Sequence, residues 1–370
     1  MFEIQREGLR IFSRNISVKM HGLHQYSGDD DAICRSIIEG CYDRKRKFFM
    51  ASSGNYRSFY ARDFGWCIQS LLNLGYTKEV ENTLKYALEH YVKHGKITVA
   101  INNLGHAFDF PKIYSPDSVA YLYRSLRLFK SRNLIMEYSL FLNEQLVLFE
   151  SEVLDKDGMM LDKRYSGMRD HVKVTRSCYD MIMACMLCDE VDRINTFIGK
   201  EVIINVLKKY CLKDLLMKHY WNGRYFIDGL DDRYCSGHAN TYPYYLDVIS
   251  DKKMLKSSIK SIMQHNLDRP LPLKYGYSKD TGFIWQEAFV YDWEKNTVWA
   301  MLGLAYVDVV SRVDKNTAKR YLKAYKDSIL KNKCFIELYS GDIYYRSSFF
   351  TSDDSMLWAS MYLDLKKRLK

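Results

Sequence analysis

Residues 60–95 read YARDFGWCIQSLLNLGYTKEVENTLKYALEHYVKHG. Two helical patterns lie end to end in this stretch. In DFGWCIQSLLNLG (63–75) and TKEVENTLKYALEHYVKHG (77–95), apolar residues recur every three or four positions, as one buried helix face requires. Asp63 and Thr77 stand where N-caps are expected, and Gly75 and Gly95 where C-caps are. Only GYT (75–77) joins the two, so they predict a tight helical hairpin. The connections on either side, 46–62 and 96–116, are long, aromatic and polar.

The same alternation runs along the chain. Further helical patterns occupy 30–45, 117–131, 133–154, 175–191, 200–221, 241–250, 251–266, 296–312, 315–332 and 353–369. Long connections recur at 155–173, 222–240, 267–295 and 333–352, and loops of that length inside a compact domain are usually functional. Strand-like fragments within them (96–101, 283–293, 334–346) predict short hairpins. Alternating short and long connections around six helix pairs close naturally into a ring. The expectation is an all-α (α/α)6 toroid with the long loops and short β-hairpins at one end. An open helical solenoid is the alternative. No composition break divides the chain, so residues 1–29 read as an N-terminal extension and 30–370 as one barrel domain.

Composition agrees with this picture and excludes several others. Of 370 residues, 47% are hydrophobic and 27% charged, with 19 Gly and 5 Pro, which excludes a disordered or collagen-like chain. Thirty Tyr, 18 Phe and 6 Trp supply far more aromatic surface than usual. The net charge of +10 is scattered, with only Lys366–Lys370 as a short run, so a nucleic-acid partner is not expected. Nine cysteines at irregular spacing read as reduced core residues. Cys185 and Cys188 lack the second pair a zinc site needs. MFEIQREGLRIFSRN carries no signal-peptide core, and no stretch approaches 18 apolar residues. A cytoplasmic protein without membrane contact is expected, its oligomeric state open.

Four loop segments concentrate the chemistry. Arg62 and Asp63, flanked by Tyr60 and Trp66, form a pair suited to sugar hydroxyls beside rings suited to stacking. Asp170 lies past a Gly turn between Arg169 and His171. Glu337 sits among apolar and aromatic residues, where an unpaired carboxylate is costly to bury. The segment 283–299 adds Trp285 and Trp299, with Glu287, Asp292 and Glu294 as spare carboxylates. Two carboxylates from distant loops converging on an aromatic cleft are what glycoside hydrolysis needs: one protonates the leaving oxygen, the other activates water.

Taken together these segments resemble the six-hairpin glycosidases, the (α/α)6-barrel group that includes glucoamylases, trehalases and mannosylglycerate hydrolases. YARDFGWCIQSLLNLGY (60–76) is similar to the family's early Arg-Asp helix start, and SPDSVAYLYRSL (115–126) to the segment in which an Asp, here Asp117, opens the next inner helix. RYSGMRDHVKVTRSCYD (164–180) resembles the segment carrying the general acid. Tyr165 stands in place of its Glu and Arg169 in place of its Asp, so Asp170 is a neighbour of the motif position. NTVWAML (296–302) looks like another helix start without its Pro. FIELYSGDIYYRSSFFTSDDSMLWASMYLDL (335–365) is similar to the closing segment that carries the general base, matched by Glu337.

The resemblance implies inverting hydrolysis of an α-linked sugar at its non-reducing end, on a small oligosaccharide or glycoside, with no metal or organic cofactor. Asp170 would be the acid and Glu337 the base. Arg62 and Asp63 would clamp the sugar, Trp66, Trp285 and Trp299 would stack on it, and Tyr60, Asp117, Arg169 and His238 would complete the binding site. Asp117, Glu287, Asp292 and Glu294 are the alternative acids. Two other readings fit the same barrel: a carbohydrate-binding protein without catalysis, and a sugar epimerase acting through His106, His171 or His238.

Overall fold

The computed structural model describes residues 2–276, 287 and 289–370, with side chains from Gly8 onward. In chain order the helices are α1 (Phe2–His21), α2 (Asp30–Gly40), α3 (Ala61–Asn73), α4 (Thr77–His94), α5 (Pro116–Phe129), α6 (Arg132–Glu137) and α7 (Ser139–Val153). There follow α8 (Cys178–Ile198), α9 (Leu212–Tyr220), α10 (Tyr242–Tyr245), α11 (Lys252–Gln264), α12 (Ala300–Ser311), α13 (Lys315–Asn332) and α14 (Ala359–Arg368).

Six of these form a closed inner ring. α3 packs on α5, α5 on α8, α8 on α10, α10 on α12, α12 on α14, and α14 returns to α3. That closure excludes the open solenoid. The inner helices are apolar nearly all round, as a helix buried on every side must be: every residue of α12 from Ala300 to Val310 is buried. The outer helices keep one apolar stripe, and in α13 it is Ala318, Tyr321, Leu322, Tyr325 and Ile329. Close approach in the ring needs a small residue at Gly65, where an added Cβ would stand 2.5 Å from the Tyr121 side chain. Rings fill the ring's centre. The Trp66 indole donates to the Tyr121 hydroxyl at 2.8 Å and meets Trp358 edge to face.

Short antiparallel strands stand at the N-terminal ends of the inner helices. β1 (Tyr42–Asp43) pairs with β2 (Phe48–Phe49), and β3 (Phe59–Tyr60) with β4 (Ala100–Ile101), which pairs with β5 (Ala107–Phe108). β6 (Val298–Trp299) pairs with β7 (Leu338–Ser340), and β7 with β8 (Ile343–Tyr344). Strands β3 and β6 lead straight into α3 and α12, so Tyr60, Arg62, Asp63 and Trp299 are all held at strand-to-helix junctions.

Four expectations change. Asp63 is not an N-cap: α3 starts at Ala61, leaving the carboxylate free to take a hydrogen bond from Trp358. The pattern at 200–221 is helical only from Val206, because the amides of Asn195 and Asn143 take the backbone N–H groups of Val202, Ile203 and Ile204. α14 begins at Ala359, not near 353, since residues 353–355 spend their backbone groups on residues 335–337 and on carboxylates. Residues 2–21, within the stretch read as an N-terminal extension ahead of the helices, form a 20-residue helix. Trp285 lies outside the described residues. Among the described residues, no helix is long and apolar enough to cross a membrane.

Candidate active site

The loops at the N-terminal ends of the inner helices enclose a cavity of about 280 Å³. Arg62, Asp63 and Trp66 from α3, Trp299, Trp293 and Glu294 from the segment before α12, and Trp358 before α14 line it. Asp170 and Glu337, from loops far apart in the chain, line this same cavity. So do Tyr60, Tyr56, His171 and Tyr275.

Each carboxylate has its own surroundings. Glu337 is 1% exposed; its Oε2 accepts the Asp353 backbone N–H at 2.8 Å, and it hydrogen-bonds Tyr56. Burial, reinforced by the neighbouring Asp353 carboxylate, pushes its pKa up to about 8. Asp170 is also raised by burial, against the opposing pull of Arg62 and His171. Its Oδ1 is buried with no hydrogen-bond partner among the described residues. Glu294 braces the turn beneath it, accepting the backbone N–H of Asp170 at 2.6 Å and of His171 at 2.8 Å. Burial pushes Glu294 up to about 7. Asp63, raised by burial to about 6, is restrained by Arg62 and by the Trp358 indole at 2.9 Å.

Three residues expected to bind substrate stand behind the cavity instead. Asp117 is fully buried and does not line it; its carboxylate takes Arg62 Nε at 2.6 Å, Ser115 Oγ at 2.8 Å and Tyr179 Oη at 3.1 Å. It therefore aims the Arg62 guanidinium. Arg169 turns away from the pocket, because its strongest partner is the buried Asp228 carboxylate, and it also donates to Tyr234 Oη at 2.7 Å. His238 lies with it, Nε2 3.1 Å from Asp228. Burial works against the Asp228 charge, yet Arg169 and His238 together hold its pKa below the usual carboxylate range. This cluster fixes the loop that carries Asp170 from behind.

Of the spare carboxylates, Glu294 lines the cavity, whereas Glu287 accepts the Asp292 N–H and faces Lys295 and His171. Asp292 borders a separate surface groove with Tyr345. Of the three histidines considered for epimerase chemistry, His171 lines the cavity; His106 is exposed and His238 sits in the Asp228 cluster. Sequence reasoning missed Tyr56, Trp293, Gly8 and Ile11 as lining residues. Trp293 carried a signal, the aromatic density of 283–299, but the α1 residues carried none, since nothing local says which surface a terminal helix meets.

No family model and no curated protein matches the chain. Solved structures do. The chain is similar to a rhamnosidase from Klebsiella oxytoca with rhamnose bound, at TM-score 0.65 and 11% identity, over 93% of this chain and 65% of that one. A glycosidase in complex with glucose superimposes at TM-score 0.66 and 11% identity, over 91% and 96% of the two chains. A metal-independent alpha mannosidase of Streptococcus pneumoniae, in a non-productive complex with alpha-1,6-mannobiose, gives 0.62 and 14%, over 99% and 98%. At such identities the likeness is one of fold. The fold is an (α/α)6 barrel like theirs.

Proposed function

We propose that the chain is a glycoside hydrolase that removes an α-linked sugar from a non-reducing end, with inversion. The observation that carries this reading is the shared cavity: Asp170 and Glu337 open into one aromatic-walled pocket floored by Arg62 and Asp63. Asp170, raised by burial, holds the proton that the glycosidic oxygen takes as its bond to the anomeric carbon breaks. Glu337, ionised, takes a proton from the water that attacks the opposite face. Glu294 fixes the Asp170 turn through two backbone N–H groups, and Arg62, aimed by Asp117, donates to the hydroxyls of the terminal sugar. Trp66, Trp299 and Trp293 offer ring faces and edges to its C–H surface.

The neighbours' printed ligands, rhamnose, glucose and mannobiose, make α-rhamnosides, α-glucosides and α-mannosides the first compounds to screen. Release of the β-anomer, followed by NMR in the first minutes, supports inversion; release of the α-anomer refutes it. Because the base must be ionised and Glu337 is pushed up to about 8, the acidic limb of kcat/KM should fall well above the ordinary carboxylate range near 4.3. A limb at pH 4–5 would contradict a base raised in this way.

A further inference from the structure

Helix α1 leaves Leu9, Phe12, Ile16 and Met20 exposed to solvent and meets the barrel through a mixed face of Arg10, Ile11, Arg14, Asn15 and Val18. Arg10 donates to the carbonyls of Gly54, at 2.7 Å, and Asn55. Arg14 pairs with Asp354 at 2.8 Å and donates to Asn55 Oδ1 at 3.1 Å. Asn15, 1% exposed, donates to the Ser348 carbonyl at 3.1 Å and accepts from Thr351 Oγ1 at 2.6 Å. These partners belong to the two loops that also carry Tyr56 and Asp353, the neighbours of Glu337. Directional, charge-assisted contacts of this kind fix the register of a helix as well as its presence.

That register places Gly8 and Ile11 in the lining of the cavity. Gly8 and Phe110 are exposed lining residues, and Ile11 and Phe108 are half-buried ones, whereas Arg62, Trp66 and Trp358 at the floor are nearly inaccessible. Under the hydrolase reading, on which this inference rests, a terminal sugar held by Arg62 and Asp63 directs its leaving group toward the mouth. None of these four has a side chain that hydrogen-bonds or carries charge, whereas Tyr56, Tyr60 and His171, half-buried lining residues of the same cavity, bring polar groups to other parts of it.

We infer that α1 is a working part of the pocket, with Gly8 and Ile11 joining Phe108 and Phe110 in a wall that receives an apolar leaving group, an alkyl or aryl alcohol. A hydroxyl-rich leaving sugar finds no side-chain partner in that wall, whereas a hydrocarbon loses water against it.

Hexyl and methyl α-glycosides of one sugar test this, because their leaving groups have the same chemistry and differ in apolar length. The hexyl compound should be favoured by about tenfold in kcat/KM, carried mostly by KM. Gly8→Asp puts a charge into that wall without steric cost, since a Cβ there meets nothing within 4 Å, and it should erase most of that preference; so should Ile11→Asn. The non-hydrolysable hexyl and methyl thioglycosides, titrated calorimetrically, should show the same ratio in Kd. Equal hexyl and methyl values, or a ratio unmoved by both substitutions, overturn the wall. Hydrolysis without hexyl preference would sink the wall and keep the hydrolase. Thioglycoside preference without hydrolysis of any glycoside would do the reverse.

Discussion

At the C-terminal ends of the inner helices, Glu190 is fully buried and meets Arg124, Arg127 and Arg193; at the N-terminal ends, Asp170 is half-buried, its buried Oδ1 without a partner among the described residues. Asp308 and Asp364 follow the first pattern, joined by Arg312 and Arg368. Asp180, Glu294 and Glu337 follow the second, all pushed by burial into the range of about 7 to 8. The difference sets these two groups of buried carboxylates apart. A buried carboxylate wrapped in guanidinium groups ties helices together. One left short of cations keeps a proton available near neutrality, which is what acid–base chemistry needs.

The sharpest break between the ends comes from Glu337→Gln. It should lower kcat on any accepted α-glycoside by about 10²–10⁴-fold while the thermal midpoint holds, read by stopped assays and by melting of the same sample. At the closed end, Arg124→Met with Arg127→Met strips Glu190 of two partners and should cost about 3–5 kcal/mol of stability, with turnover per folded molecule preserved. Chemical denaturation and active-site titration together separate those effects. Gly65→Ala, which forces a Cβ against Tyr121 where α3 crosses α5, should cost about 1–3 kcal/mol.

A further effect is in pH dependence. Asp180, Glu294 and Glu337 have folded pKa values raised above those of the unfolded chain, so the folded form binds more protons between the two. Their contribution to stability is complete below about pH 4 and is lost as pH rises through about 7 to 8. Denaturation midpoints should therefore show this decline across pH 5–8, and Asp180→Asn should flatten it. A slope that Asp180→Asn leaves unchanged would place Asp180 outside the proton-holding set.

Much of the ring could be read from periodicity because the outer helices α4 and α13 bury one stripe each and tight turns join them to α3 and α12. Where side chains from elsewhere intervene, local pattern misleads. Asn143 and Asn195 hold 202–204 extended against a helical pattern, and Glu337 together with the Asp353 carboxylate keeps 353–355 out of α14. The site divides the same way. Arg62, Asp63, Asp170 and Glu337 announce themselves as polar groups in aromatic loops, and all four line the cavity. Asp117, Arg169 and His238 looked alike in the sequence but back it, since orientation depends on Arg62 and Asp228, distant partners that composition cannot reveal.

The direction in which α1 meets the barrel has a practical side for anyone preparing the protein. A peptide fused ahead of Phe2 emerges less than two turns of helix, about 9 Å of rise, from Gly8 and therefore beside the doorway to the cavity. A purification handle belongs after Lys370, beyond α14, on the far side of the ring, where it leaves the entrance clear.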